Sequence, residues 1–432
     1  MSQIRDLFFD EFYDELERVT SKITPEDERP SKPSVLSSEV RRCWVPYVPN
    51  PDRGKEVLIS VDGGVQTSRF AYGDFVVVGR AMALIHSPGK GTAMERRVKI
   101  HIMKVYDDRD RGIIPGYVRL IAEYDVARAA AETVLEKGGR PLVLLDGSLY
   151  LSRFPYAIRE YMNHPELLTE LFTSISTLRC LGRDRGFPIV AVSKDSAVFY
   201  LYMRLLKDAV RRSGLESIAK EVERLSSPLD LRVTLESWSE EKRETLKPFL
   251  DRNPLCDTAL IGVTMDIEGY TNPLLLAPSI FYRRSKTLAF YNQIRRYLSQ
   301  EEASKVIGSL MTFLDCPRVA VTYWKPAGDG RPFRVDISAS ELGYDEPWRA
   351  EKGDRFIGEG NGLAPLETVL DHLGHWFCND VEYNLPLRQA DILARFDRRL
   401  YTSKYEPFII RRLKQAGLDV RATRRVLREV VT

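Results

Sequence analysis

The sequence predicts an α/β fold built on a mixed sheet, antiparallel where it starts and parallel later, with helices on its faces. Three observations carry this. Residues 57–106 hold three consecutive runs rich in β-branched residues at regular spacing, the pattern of a meander. Apolar strands at 141–149 and 187–193 each follow a segment of helical periodicity. The resulting order, β-β-β-α-β-α-β-α, suits strands joined first by hairpins and then by helical crossovers.

Taken in order, residues 3–21 set Ile4, Leu7, Phe8, Phe12 and Leu16 at helical spacing with acids opposite. Such a helix either packs on its own domain or docks a partner or second subunit. Residues 24–38, rich in Pro and Ser, read as a linker. The strand VLISVDGG (57–64) is expected to end at Asp62, with Gly63 and Gly64 turning the chain. Helix is expected over 117–137, where Ala127, Ala129, Ala130 and Ala131 raise propensity and Gly138-Gly139 stops it. The next strand ends on a second Asp-Gly pair, Asp146-Gly147. Helix over 157–181, strand over 187–193 and helix over 198–213 follow, then a charged, mostly helical insertion at 214–255. Further strands are expected at 258–263, 319–324 and 333–337, and helices at 291–314, 366–377 and 387–400. Residues 395–428 are strongly basic.

The 432 residues allow two or three domains, or one large domain with insertions, and 44% hydrophobic content supports a sizeable core. A formal net charge of +3 gives no global basic field, so any polyanion site must be local. Five cysteines without a C-x-x-C pair argue against a disulfide framework or zinc ribbon and for a reducing compartment. No apolar run is long enough to cross a membrane, and the acidic, amphipathic start is unlike a signal peptide, so a cytoplasmic location is expected.

Asp62 on the first strand, Glu123 on the following helix and Asp146 on the next strand suggest a carboxylate cluster for divalent metal. Hard cations take oxygen ligands, and two ions about 3.5–4 Å apart can activate water and stabilise a leaving oxyanion in phosphodiester hydrolysis. Asp-Glu-Asp in this element order is the ribonuclease H-like arrangement; each Asp-Gly could instead simply close a turn. Asp391, in LPLRQADILARF, is a candidate fourth ligand, with Arg388 and Arg395 nearby for phosphate. Lys194 and Asp195 could contact the scissile phosphate, or Ser193 and Asp195 could cap the next helix. His372 and His375 share a helix face without a third ligand at suitable spacing. Arg283, Arg284, Lys286, Arg295 and Arg296 could hold phosphates while Tyr282, Phe290 or Tyr291 stack bases; a core aromatic stripe with a solvated basic face is the alternative. There is no G-x-S-x-G elbow and no phosphate-binding G-x-x-x-x-G-K-[ST] loop, so no ATP-hydrolysing P-loop.

With SVDGG, AEYDVARAA, LLDGSL, VAVSKD and EYNLPLRQADILAR in this order, the chain resembles the NurA family of prokaryotic DNA-repair nucleases over roughly residues 56–400. The resemblance implies a ribonuclease H-like core and a ring-shaped homodimer. It also implies manganese-dependent DNA cleavage (magnesium being the alternative) by 5′-to-3′ exonuclease and single-strand endonuclease action. The implied partner is HerA, a hexameric translocating ATPase. Metal ligation carries over to Asp62, Glu123 and Asp146, and Tyr383 becomes a further site candidate. Where this chain has Asp391, some members of the family it resembles carry His; a carboxylate could replace that imidazole as a ligand but not as a general acid. The expected organisation is an N-terminal helix and linker (1–38), a nuclease domain (39–400) and a basic C-terminal segment (401–432). The rival readings are an actin-like or sugar-kinase-like ATPase, with GEGNG at 358–362 as its late glycine loop, and a non-catalytic scaffold of a DNA-motor complex.

Overall fold

The computed structural model describes residues 9–22, 34–50, 56–70, 73–89, 91–105, 107–151, 164–251, 253–279, 283–358 and 363–418. The chain forms two compact units, Met1–Arg42 with Phe199–Asp266, and Cys43–Val198 with Ile267–Thr432.

The smaller unit is helical in its described residues. Its first helix, Phe9–Thr20, leaves Phe9, Phe12, Tyr13, Leu16 and Val19 between 44% and 64% exposed, so this apolar face does not pack on its own unit. Of the helix's expected apolar positions, Ile4, Leu7 and Phe8 lie outside the described residues. Residues 258–263, expected as a strand, instead form the helix Asp257–Thr264. A short apolar run carries no periodicity that separates strand from buried helix. The buried Asp257 carboxylate decides the local geometry by accepting from the Leu201 and Tyr202 amides, at 3.0 and 2.8 Å, at the start of helix Tyr200–Arg212.

Among the described residues, the larger unit is organised on an eleven-stranded sheet. Its strands are β1 (Trp44–Pro46), β2 (Val57–Arg69), β3 (Asp74–His86), β4 (Thr92–Lys104), β5 (Pro141–Asp146), β6 (Ile189–Ser193), β7 (Gly269–Thr271), β8 (Leu274–Leu275), β9 (Val319–Lys325), β10 (Phe333–Ser338) and β11 (Arg355–Phe356). The order across the sheet is β1-β7-β9-β10-β6-β5-β2-β3-β4, with β8 pairing β9 and β11. Strands β2, β3 and β4 are antiparallel, while β5 runs parallel to β2 and β6 parallel to β5. The first five strands of the expected core therefore lie 3-2-1-4-5 across the sheet, the ribonuclease H-like topology.

Among the described residues, seven longer helices accompany the sheet: α1 (Asp108–Glu136), α2 (Pro165–Arg185), α3 (Arg284–Tyr297), α4 (Gln300–Leu314), α5 (Ala364–His375), α6 (Leu385–Ala394) and, after short helical pieces at Arg398–Leu400 and Tyr401–Tyr405, α7 (Glu406–Gln415). Helix α1 begins nine residues before the expected Tyr117, capped by the Asp107 side chain on the Arg109 amide, and carries Pro115 inside it. The Pro115-Gly116 pair reads locally as a breaker, but burial of Ile114, Tyr117 and Val118 against the sheet overrides it. The single helix expected at 291–314 is two, because Ser299 and Glu302 form a capping box that starts α4 afresh.

Strand pleat sorts the side chains by parity. Ser60 donates to the Pro386 carbonyl at 3.2 Å, which fixes the even residues of β2 toward α6. With them go Leu58, Leu142, Leu144, Val190 and Val192, packed with Leu366, Val369, Leu370 and Leu387 of α5 and α6. The odd residues, Ile59, Val61, Val143 and Leu145, are equally buried on the opposite face, the face of α1.

Candidate active site

Strand β2 does not end at Asp62 but runs seven residues further, to Arg69. Gly63 and Gly64 therefore make no turn, and neither has positive φ. They serve close approach instead. A Cβ on Gly63 would stand 2.6 Å from Glu123 Oε1 and 2.8 Å from its Cγ, so Glu123 of α1 lies against the bare backbone. A Cβ on Gly64 would stand 2.5 Å from the Ala394 carbonyl at the end of α6, on the other face. The second Asp-Gly behaves as expected: β5 ends at Asp146, and Gly147 turns the chain at φ +117°.

The parallel register pairs Val61 with Leu145 and so sets Asp146 beside Asp62. Both face α6, whereas Glu123 approaches from the α1 side. Glu123 is nonetheless near enough to both aspartates for their charges to raise its proton affinity. Asp62 is buried and accepts from the Gly63 amide at 2.7 Å. Burial, then the Asp146 charge, pushes its pKa up to about 6; Asp391 adds to this, while the Gly63 amide and Arg119 oppose it. Burial pushes Glu123 up to about 8 against the pull of Arg119, with Asp62 and Asp146 raising it further. Arg119 Nε lies 3.4 Å from Glu123 Oε1, yet that buried oxygen accepts no hydrogen bond.

Tyr383 donates its hydroxyl to Asp146 Oδ1 at 3.0 Å, and Lys194 Nζ lies 3.7 Å from Oδ2 and 5.3 Å from the Tyr383 ring centre. The Tyr383 ring stacks on Phe333, and its phenol pKa is raised, by burial first and then by Asp146. Asp391 is half-buried on α6 and paired with Arg395 at 2.6 Å. Arg80 holds the end of that helix, donating to the Ala394 carbonyl at 2.7 Å and to that of Arg395 while stacking on Phe396. Neither Arg80 nor Arg119 stands out in the sequence, since each is one arginine among many and its partner comes from a distant segment or the next helical turn.

Other candidates fall elsewhere. Asp195 is exposed beyond β6, and the following helix begins only at Tyr200, so neither Ser193 nor Asp195 caps it. His372 is buried and bonded to Glu56 while His375 is exposed against Trp376, so the two histidines share no ion. Arg283, Arg284, Arg295 and Arg296 are exposed on or beside α3, but Phe290 is 1% exposed and belongs to the core rather than to a base-stacking platform. Tyr282 and the glycines at 359–362 lie outside the described residues.

Among the described residues, no three acidic, His or Cys side chains are already set to hold a metal ion. The donors nonetheless suit a hard cation: Asp146 raises the proton affinity of both Asp62 and Glu123, and Glu123 keeps an unsatisfied buried oxygen.

No family model matches the chain, and no curated protein matches it. Among solved structures it is similar to the NurA nuclease from Sulfolobus solfataricus, at 14% identity and TM-score 0.49, covering 96% of this chain and 98% of that one. It is also similar to NurA bound to dAMP and manganese, at 13% identity and TM-score 0.41, covering 93% and 96%. A third NurA structure gives 12% identity and TM-score 0.44 over 95% and 99%.

Proposed function

We propose that this protein is a metal-dependent DNA nuclease whose centre lies where β2, the end of β5, α1 and α6 meet. The observation that carries the proposal is a buried Glu123 oxygen without a donor, beside two further acids that repel it. Holding three such groups together costs stability unless a proton or cation neutralises them. Asp62, Glu123 and Asp146 would hold manganese or magnesium, and Asp391 would join them from α6 on leaving Arg395. When bound, divalent metal would supply an acidified water and charge stabilisation for the departing 3′ oxygen. The chain's own groups orient that chemistry: Tyr383 fixes the Asp146 carboxylate, Arg119 favours the ionised form of Glu123, and Lys194, half exposed beside Asp146, can take a phosphate oxygen.

The finer reading is a 5′-to-3′ exonuclease and single-strand endonuclease for DNA end processing. It would act as a homodimer fed by a HerA-type ATPase, with Arg283, Arg284, Arg295 and Arg296 following the DNA backbone. The absence of a P-loop suits a nuclease that depends on a partner motor, and the exposed apolar face of Phe9–Thr20 suits a docking element. The edge strand β4, with Met94, Val98, Ile100 and Ile102 between 47% and 59% exposed, suits contact with a second copy.

The test is cleavage of labelled single-stranded DNA with manganese, together with manganese-induced thermal stabilisation. Wild type should show both and Asp62→Ala neither, with the variant still folded. Cleavage by Asp62→Ala at the wild-type rate would overturn the assignment.

A further inference from the structure

Away from this site, two cysteines far apart in sequence meet. Cys180 lies on α2, and Cys316 lies in the turn between α4 and β9; their sulfurs are 4.0 Å apart across 136 positions of chain. Cys316 is fully buried, its thiol 3.6 Å from the Thr312 carbonyl and 4.0 Å from that of Ser176. Cys180 is half-buried and so open to a small oxidant. The adjoining Arg179 ties the same two segments together, its buried guanidinium donating to the Pro317 carbonyl and, at 3.3 Å, to that of Arg318. The contact with Cys316 lowers the Cys180 pKa, with Arg183 and Arg179 adding to that while burial and Asp184 oppose it. A thiolate reachable from solvent beside a sequestered resolving thiol is the arrangement of a redox-active pair.

We propose that Cys180 and Cys316 are a peroxide-responsive dithiol that closes to a disulfide between α2 and the root of β9. The Cys180 thiolate attacks one oxygen of hydrogen peroxide; an S–O bond forms, the O–O bond breaks, and hydroxide leaves and takes a proton to become water. The Cys316 sulfur, losing its proton, then attacks the Cys180 sulfenic acid, and the S–S bond forms as a second water leaves. Two thiols are oxidised and one peroxide is reduced to two waters. The sulfurs must draw about 2 Å closer, within reach of side-chain rotation and small backbone adjustment. Cross-linking positions so far apart in sequence restricts the unfolded chain strongly, so the oxidised form is the more heat-stable one.

The experiment treats the purified full-length protein with hydrogen peroxide, then counts thiols after denaturation and maps the linked peptides. Of the five thiols, two should disappear together, with Cys180 and Cys316 in one linked pair, a raised melting temperature, and reversal of both by dithiothreitol. In Cys316→Ser the same treatment should leave Cys180 as a sulfenic acid that dimedone captures, without the thermal gain. In Cys180→Ser, Cys316 should remain unoxidised. Survival of all five thiols in wild type, a link to Cys43, Cys256 or Cys378 instead, or an undiminished thermal gain in Cys316→Ser would each overturn the proposal.

Discussion

Two acidic centres sit close together on the sheet and solve the problem of burial in opposite ways. Asp336 on β10 is fully buried and fully satisfied. Arg334 donates to both of its oxygens at 2.7 Å, and the Ser148 hydroxyl and Leu149 amide donate to Oδ2 at 2.7 and 3.0 Å. Around Asp62 and Glu123 the donors run short, Arg119 offsets burial and the nearby acids only in part, and both acids hold their protons more tightly than usual. The first arrangement is a fixed clamp, since it anchors the loop that follows Asp146. The second is poised for a counter-charge. A buried carboxylate thus signals chemistry when its donors are too few, not when it is buried.

The sharpest way to break this contrast is to remove one acid from each centre. Asp62→Ala should lower DNA cleavage by orders of magnitude, while the melting temperature in chelator stays the same or rises because a source of repulsion is gone. Asp336→Ala should cost about 3–5 kcal/mol of stability in denaturant titration, since it leaves Arg334 buried without its partner. If the two variants destabilise equally, the distinction fails. Tyr383→Phe sharpens it by deleting only the hydroxyl on Asp146, and manganese affinity or activity should fall about 10–100-fold with folding intact.

The smallest effect concerns a half-buried acid, Glu341, which lines a cavity with Glu56, Arg140 and His372. Burial raises its pKa from 4.5 to about 7 in the fold, against the pull of Arg140. The folded state therefore binds the proton more tightly than the unfolded chain. The stability this gives is fully present below about pH 4.5 and is lost as pH rises through about 7. Glu341→Gln should flatten that part of the profile and melt about 1–3 °C above wild type at pH 8. An unchanged slope in differential scanning calorimetry would show that Glu341 titrates normally.

Much of this was legible in the residues. The β-branched runs and their order suffice for the five-strand core, and two Asp-Gly pairs on parallel strands suffice to bring Asp62 beside Asp146. Where tertiary contacts decide, the sequence is silent. Nothing local distinguishes the helix at 257–264 from a strand, or tells that Pro115 lies within a helix. The Arg334–Ser148 contact joins residues 186 positions apart, and no periodicity reports it. The two glycines of SVDGG are visible in the sequence, but they make no turn, since their purpose lies in helices that reach them from other parts of the chain.

That pair of glycines has a mechanical corollary. At two adjacent positions the wall between the helical layers is reduced to naked main chain, with Glu123 leaning on one side and the last turn of α6 on the other. On the Glu123 side the obstacle is a side chain that can swing away; on the other it is a rigid carbonyl. Engineering at 63 would therefore re-aim one acid, whereas any change at 64 would wedge a helix off the sheet, so the two members of one dipeptide should fail for different reasons.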